Sequence, residues 1–160
     1  MAVTRVGLGV DVHAFGGSGP LVLGGVEIAH DRGLAGHSDA DVLSHAVGDA
    51  LLGAAALGDL GEMFPSVEEW RGASSIDLLR RVAERVAGEG WRIVNVDATV
   101  VAAAPRIAPH RSEMSDRLAK ALGVETRAVS VKATTTDGLG FTGRAEGVAC
   151  MAVALIEHVG

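Results

Sequence analysis

Arg5-Val6-Gly7-Leu8-Gly9-Val10-Asp11-Val12-His13-Ala14-Phe15, residues 5–15, alternates apolar side chains with polar or very small ones. A period of two is typical of a β-strand whose two faces differ. One face carries four aliphatic side chains: Val6, Leu8, Val10 and Val12. The other face carries two glycines and two potential ligands: Gly7, Gly9, Asp11 and His13. The stretch therefore predicts a strand with one apolar face and one face suited to a functional site.

Apolar periodicity and helix breakers divide the remaining sequence into alternating helices and strands. The predicted helices span residues 38–56, 75–87 and 109–122, and the further strands span 93–103, 129–134 and 148–156. A small β-hairpin is predicted over 20–28, and loops are predicted over 30–37, 58–71 and 135–146. Ser38 is expected to cap the first helix. This order predicts an α/β (α+β) fold, a β-sheet covered by helices, in one domain over residues 1–160.

The composition is more apolar than that of an ordinary monomer. Hydrophobic residues make up 48% of the 160 residues, and another 22 residues are Gly. With glycine included, this exceeds the roughly 45–50% apolar share of an average soluble domain. We therefore expect part of the apolar surface to be buried between subunits.

Charge and cysteine content limit the possible partners and compartment. The net charge of −6 argues against binding to nucleic acid or to an anionic membrane surface, so a small molecule is the expected partner. The single cysteine, Cys150, lies in an apolar run and is expected to be a small buried hydrophobe. Arg5, Asp11 and His13 interrupt any secretory apolar segment, and no later apolar run has membrane-spanning length. We expect a cytoplasmic protein.

Asp11 and His13 indicate half of a metal site. Two residues apart on a strand, they leave the same face about 6.6 Å apart, from which both can close on one ion. His45 is the best third ligand, because Asp41, His45 and Asp49 form a stripe along the predicted helix. Asp41 or Asp49 would then hold a ring nitrogen of a ligand histidine. Two histidines and one carboxylate suit zinc, and the same set also serves iron.

The alternative to a metal site is that His13 is a capped strand-end residue and His45 is a hydrogen-bonded helix histidine. Other chemistries find less support. Gly7-Leu8-Gly9 lacks the third glycine of a dinucleotide-binding loop, and the chain has no nucleophile elbow.

A second tract, Lys132-Ala133-Thr134-Thr135-Thr136-Asp137, leads into a glycine-containing segment that ends at Arg144. Three hydroxyls, loop amides and flanking cations are good phosphate donors, and Asp137 could bind a hard cation that bridges phosphate oxygens. The alternative is a strand end running into a glycine turn.

Several motifs occur together and in order: Asp11-Val12-His13-Ala14-Phe15, His37-Ser38-Asp39-Ala40-Asp41, His45, Asp59-Leu60-Gly61, Phe64-Pro65, Ala104-Pro105-Arg106 and residues 132–144. This combination closely resembles the 2-C-methyl-D-erythritol 2,4-cyclodiphosphate synthase family of the non-mevalonate isoprenoid pathway. The resemblance implies a homotrimer of ferredoxin-like two-layer subunits with active sites at the subunit interfaces. It also implies that the 2-phosphate of 4-diphosphocytidyl-2-C-methyl-D-erythritol 2-phosphate attacks the β-phosphorus and releases CMP.

The resemblance also implies residue roles. Asp11, His13 and His45 resemble the zinc ligands, and Asp137 stands where the family has an acidic ligand to magnesium or manganese. His37 and Thr135 are the implied catalytic groups. The implied substrate contacts are Asp11, Val12, His13, His37, Ser38, Asp59, Leu60, Gly61, Phe64, Pro65, Ser66, Val67, Glu68, Ala102, Ala103, Ala104, Pro105, Arg106, Ile107, Ala108, Lys132, Thr134, Thr135, Thr136, Asp137, Phe141 and Arg144.

The chain departs from the family pattern at a few positions. Asp137 replaces the commoner Glu, and residues 64–68 read Phe-Pro-Ser-Val-Glu instead of Phe-Pro-Asp-Thr-Asp. Leu8 and Val10 stand where some relatives carry His and Phe on the trimer axis. Two other classes remain open: a zinc-dependent phosphoesterase and a trimeric nucleotide-binding regulator without catalytic activity.

Overall fold

A five-stranded sheet forms the centre of the computed structural model, which describes residues 3–160; Met1 and Ala2 of the predicted domain lie outside the described residues. The strands are β1 (Thr4–Gly17), β2 (Leu21–Leu23), β3 (Val26–Ile28), β4 (Gly33–Leu34), β5 (Trp91–Val101), β6 (Val129–Thr134) and β7 (Gly147–His158). The helices are α1 (Val42–Ala55), α2 (Leu60–Met63), α3 (Ser75–Gly88), α4 (Arg111–Leu122) and α5 (Gly140–Gly143). Short 3-10 turns occur at Glu68–Trp70, Ala108–His110 and Thr126–Ala128.

The sheet order is β4-β1-β7-β5-β6, and β2 and β3 form a separate hairpin. β7 pairs antiparallel with both β1 and β5, whereas β5 and β6 are parallel. The helices α1, α3 and α4 pack against the sheet strands. The predicted mixed α/β fold, a sheet covered by helices with a small hairpin, is confirmed.

Two glycines of β1 allow α1 to lie directly on the sheet. A Cβ atom on Gly7 would come within 1.9 Å of the Ala50 carbonyl oxygen, and one on Gly9 within 1.9 Å of the Ala46 carbonyl oxygen. Real Cβ atoms do not approach backbone this closely, so any side chain here would push the helix away. The close approach also sets His45, next to Ala46, against the face of β1 that carries the polar residues.

The opposite face of β1 is exposed and apolar. Val6 and Leu8 are 66% and 64% exposed. The patch continues onto β7, where Val153 pairs with Leu8 and Met151 pairs with Val10. Contiguous exposed aliphatic side chains of this kind mark an interaction surface.

The first long helix begins later than its sequence pattern predicts. α1 starts at Val42, and its N-cap is Asp41, whose side chain accepts a hydrogen bond from the Ser44 N–H at 3.0 Å. Ala40 adopts a left-handed φ of 57°, which a right-handed helix cannot continue. The prediction that Ser38 caps this helix was therefore wrong.

The predicted loops contain more regular structure than their composition indicates. Residues 58–71 include α2 and a 3-10 turn, residues 135–146 include α5, and residues 30–37 include β4. The other predicted elements are present, with ends shifted by one or two residues. Among residues 3–160, no helix is both long and apolar enough to cross a lipid bilayer. Cys150 is fully buried, and burial raises the pKa of its thiol, as expected for a structural cysteine.

Candidate active site

Asp11, His13 and His45 converge on one point between β1 and α1. The His13 Nε2 atom lies 2.9 Å from Asp11 Oδ2, and the His45 Nδ1 atom lies 3.1 Å from the same oxygen. The two ring nitrogens are 3.2 Å apart. Within the described part of the chain, this is the one group of three His, Cys, Asp or Glu side chains close enough together to hold a metal ion. The convergence favours the metal-site prediction over the alternatives, a strand-end His13 and a hydrogen-bonded helix His45.

The hydrogen bond on the far side of His13 fixes the tautomer of its ring. Nδ1 lies 2.8 Å from the Ala35 carbonyl oxygen, and a carbonyl can only accept, so Nδ1 carries the hydrogen. The Nε2 atom of the neutral ring therefore presents its lone pair toward Asp11 and His45.

The cluster attracts positive charge. Burial acts to raise the pKa of Asp11, but the His13 and His45 rings outweigh it and hold that pKa well below its usual range. Burial acts to lower the pKa of His13, but the Asp11 carboxylate outweighs it and raises that pKa. Both shifts favour positive charge beside the Asp11 carboxylate, which is the charge that a metal cation would supply.

The geometry fits a tetrahedral metal ion. Ligands held about 2.0–2.2 Å from zinc in a tetrahedron lie roughly 3.3–3.6 Å from one another. The observed separations of 2.9–3.2 Å are slightly shorter, so small outward movements would admit the ion. Three protein ligands also leave a fourth position free for a substrate oxygen.

The expected partners of the ligand histidines are corrected. The buried Asp41 carboxylate accepts hydrogen bonds from the Gly24 and Gly25 N–H groups, both at 2.8 Å, and from Ser44, so it joins the hairpin to the start of α1. Asp49 instead accepts the Leu60 N–H at 2.8 Å and holds α2 in place. Neither carboxylate is bonded to a ligand histidine.

Ser75 takes that position. Its Oγ atom lies 2.8 Å from His45 Nε2, and it donates to the Asp39 carboxylate. Ser38 Oγ makes a longer contact of 3.2 Å with the same His45 nitrogen. Ser75 lies far from His45 in sequence, and its only sequence feature is a place at the start of a predicted helix.

A cavity of about 260 Å³ opens beside the cluster. Its lining residues are Asp11, His13, His37, Ser38, His45, Asp49, Leu60, Gly61, Phe64, Ser66, Trp70 and Leu78. Trp70 and Leu78 were not predicted. The Phe64 and Trp70 rings pack edge to face with their centroids 5.1 Å apart, so they form an apolar wall of the cavity.

His37 connects the cavity to the 64–68 segment. Its Nε2 atom donates to the Val67 carbonyl oxygen at 2.6 Å. The other predicted contacts of this region have local partners: Glu68 pairs with Arg71 at 2.7 Å, and Asp59 caps α2 by accepting the Glu62 N–H at 2.8 Å.

The residues predicted for the cytidine and diphosphate form a second group at another edge of the sheet. Val101 of β5 pairs with Thr134 of the parallel strand β6, and the Ala102 N–H donates to the Thr134 carbonyl at 3.1 Å. This brings residues 102–108 and 134–137 together at the carboxyl ends of both strands. None of them lines the cavity beside His45 in the described chain.

Inside this second group the polar side chains bond to one another. The Thr135 hydroxyl donates to Asp137 at 3.3 Å and accepts the Asp137 N–H at 3.2 Å. Asp137 has a left-handed φ of 53°, as in a turn. Thr136 bonds to Thr142 at 2.9 Å, and Lys132 pairs with Asp97. The turn that the alternative interpretation of residues 132–144 expects is present. The phosphate-binding and cation-binding roles of these residues stay predictions.

The fold and the cluster together define an α/β protein with a candidate metal site beside an open cavity. A family model described as the YgbB family matches residues 4–157. The chain is 58% identical over 156 residues to the 2-C-methyl-D-erythritol 2,4-cyclodiphosphate synthase of Marinobacter nauticus, which covers 97% of this chain and 98% of that protein. This chain therefore belongs to the YgbB family of 2-C-methyl-D-erythritol 2,4-cyclodiphosphate synthases, as its motifs predict.

Solved structures agree. The bifunctional IspDF from Campylobacter jejuni matches with a TM-score of 0.95 and 39% identity over 99% of this chain, which spans 43% of that longer protein. A CDP complex of IspF from Plasmodium falciparum matches with a TM-score of 0.86 and 29% identity, covering 98% of this chain and 97% of that one.

Proposed function

We propose that this protein converts 4-diphosphocytidyl-2-C-methyl-D-erythritol 2-phosphate into 2-C-methyl-D-erythritol 2,4-cyclodiphosphate and CMP. An oxygen of the 2-phosphate attacks the β-phosphorus, and the bond from that phosphorus to the oxygen shared with the α-phosphate breaks. CMP leaves with the bond's electron pair, so the enzyme is a phosphorus-oxygen lyase. The observation that carries the proposal is the convergence of Asp11, His13 and His45 beside an open cavity in a chain of this family.

Zinc is the metal proposed for the cluster, because one carboxylate and two imidazoles with an open fourth position suit it. A zinc ion held there would bind a phosphate oxygen and withdraw charge from the phosphate group. His37 and Ser38 line the same cavity and are proposed to orient that phosphate. Asp59 and Gly61 are proposed to contact the ribose and the erythritol.

The second group of residues is proposed to act from a neighbouring subunit. Residues 102–108 are small or rigid and would admit the cytosine ring, while Lys132, Thr134 and Thr135 would bind the phosphates through their ammonium and hydroxyl groups. Asp137 is proposed to bind magnesium or manganese at the diphosphate.

This assignment requires a neighbouring subunit, and we propose that the assembly is a homotrimer. The exposed apolar patch of β1 and β7 supports it, since a second copy would bury side chains that a lone chain leaves in water. We propose ferredoxin-like subunits, each a single domain, whose three active sites form between neighbours in the cytoplasm.

The two other functional classes are weaker. A zinc-dependent phosphoesterase would need a metal-bound water as the nucleophile, and the related proteins are named for cyclodiphosphate synthesis. A nucleotide-binding regulator would have no use for three converging metal ligands.

Product analysis separates the three functions. The protein is incubated with the diphosphocytidyl phosphate substrate, zinc and magnesium, and the products are identified by mass spectrometry. Cyclic diphosphate plus CMP is expected. Linear hydrolysis products would support a phosphoesterase, and unchanged substrate would support a binding protein.

A further inference from the structure

The His45 ring is held from both sides, and only one side belongs to the ligand cluster. Its Nδ1 atom faces Asp11, whereas its Nε2 atom lies 2.8 Å from the Ser75 Oγ atom. Ser75 begins α3 and is 1% exposed, so water does not compete freely for its hydroxyl. Ser75 in turn donates its Oγ–H to Asp39.

The direction of these hydrogen bonds follows from the number of hydrogens available. Asp39 accepts from the Ser75 hydroxyl, from the Ser75 N–H at 3.0 Å and from the Asp41 N–H at 3.2 Å, which is how a carboxylate behaves. A serine hydroxyl has one hydrogen, and Ser75 uses it to donate a hydrogen bond to Asp39. The Ser75 oxygen must therefore accept from His45, so Nε2 carries the hydrogen and Nδ1 carries the lone pair.

Backbone hydrogen bonds hold Asp39 in this position. The Asp39 N–H donates to the Ala73 carbonyl at 3.1 Å, and the Gly72 N–H donates to the His37 carbonyl at 2.9 Å. Two backbone hydrogen bonds therefore join the loop before α1 to the residues just before α3. His45, Ser75 and Asp39 keep their spacing because three separate segments of the chain are joined there.

We propose that Ser75 and Asp39 are positioning residues that hold the His45 ring with its unprotonated Nδ1 atom directed at the metal. This inference rests on the metal site of the proposed function and adds two residues that do not touch substrate or metal. A carboxylate acting through a hydroxyl also makes the ring a stronger electron donor, as the outer partners of metal-bound histidines do.

Two variants test the chain of hydrogen bonds in different ways. Ser75→Ala removes the nearer acceptor of the His45 Nε2–H and leaves only the longer contact with Ser38 at 3.2 Å. Asp39→Asn keeps the shape but supplies an amide N–H that can donate to Ser75, which would then donate to His45 Nε2 and leave the hydrogen on Nδ1. Both variants should bind zinc about 10–100-fold more weakly than the unmodified protein, measured by competition with a chromophoric chelator.

Ser74→Ala is the matched control. Ser74 is the N-cap of α3, and its hydroxyl accepts the Asp77 N–H at 3.4 Å. Its removal should lower the thermal unfolding temperature and leave zinc affinity unchanged. Zinc affinity that is equally weak in Ser74→Ala and Ser75→Ala would show a helix-end effect and overturn the proposal, as would unchanged affinity in both Ser75→Ala and Asp39→Asn.

Nitrogen NMR of the zinc-loaded, unmodified protein gives a readout that does not depend on any variant folding. His45 should show zinc on Nδ1 and a slowly exchanging hydrogen on Nε2. Zinc on Nε2 would overturn the proposal. Neither measurement uses substrate, so both remain decisive even if product analysis rejects cyclisation.

Discussion

The cluster of Asp11, His13 and His45 and the turn around Thr135 and Asp137 differ in how much of a binding site one chain completes. In the cluster, a hydrogen bond on the outer side of each histidine ring directs the lone pair of its other nitrogen inward. The three ligand atoms of Asp11, His13 and His45 lie within 3.2 Å of one another. In the turn, Thr135 and Asp137 bond to each other and remain exposed. The contrast indicates that the cluster is preformed, whereas the proposed function gives the turn its second surface on a neighbouring subunit.

The largest expected effect tests the preformed half. His45→Ala should remove one metal ligand and abolish detectable turnover, a greater loss than the roughly 10–100-fold typical of an outer partner. The oligomer should persist, because His45 faces the cavity. Metal analysis and a turnover assay check this.

His30→Ala is the control for that experiment, since His30 pairs with Asp31 at 3.2 Å away from the cluster. It should keep both zinc and turnover. A His45→Ala protein that retains a full complement of zinc would contradict the ligand assignment.

The second effect tests the need for another chain. Leu8→Asp would place a charge in the exposed apolar patch, and an uncompensated buried charge costs about 3–5 kcal/mol. The proposed trimer should dissociate and turnover should fall with it, as native mass spectrometry and the assay would show. Val159→Asp alters another exposed aliphatic residue, beyond the end of β7, and should leave the oligomer mass unchanged. A compact, active monomer would refute the trimer.

A smaller effect tests how the fold builds the cluster. Gly9→Ala should lower the free energy of unfolding by about 1–3 kcal/mol and weaken zinc binding, because the added Cβ pushes α1 away from β1. Gly53→Ala, in α1 with open space around it, should be neutral or stabilise the protein by about 0.5–1 kcal/mol. Chemical denaturation checks both values. Equal effects at the two glycines would mean that the close packing does not matter.

The smallest effect tests the turn. If Asp137 binds the second cation, turnover should depend on added magnesium even when zinc is saturating, and Asp137→Asn should weaken that dependence. Asp137→Glu, which restores the family's usual residue, should stay active. If Asp137 only supports the turn, Asn serves equally well, and superimposable magnesium titrations of the unmodified protein and Asp137→Asn would refute the metal role.

The sequence predicts half of the cluster from a local signal, because the period of two places Asp11 and His13 on one face of β1. His45 is added by its residue type and by the stripe that it forms with Asp41 and Asp49 on the predicted helix. The partners of the histidines were mispredicted because Asp41 leaves the helix as its N-cap and Asp49 turns toward Leu60.

Ser75 and Trp70 could not be predicted in the same way. Each reaches the site through tertiary packing, and a serine at a helix start or a tryptophan in a loop has many equally ordinary uses. The composition predicts that apolar surface is buried between subunits, but it does not predict that this surface is the face of β1 that carries Val6 and Leu8.

Subunit complementation tests most directly whether the two halves of each site come from different chains. His45→Ala and Thr135→Ala are each expected to be inactive alone. In mixed trimers, one of the three interfaces would combine an intact cluster with an intact turn, so a random equal mixture should recover about a quarter of the unmodified activity. Activity no greater than that of the separate variants, in co-expressed trimers shown to contain both chains, would contradict the shared site.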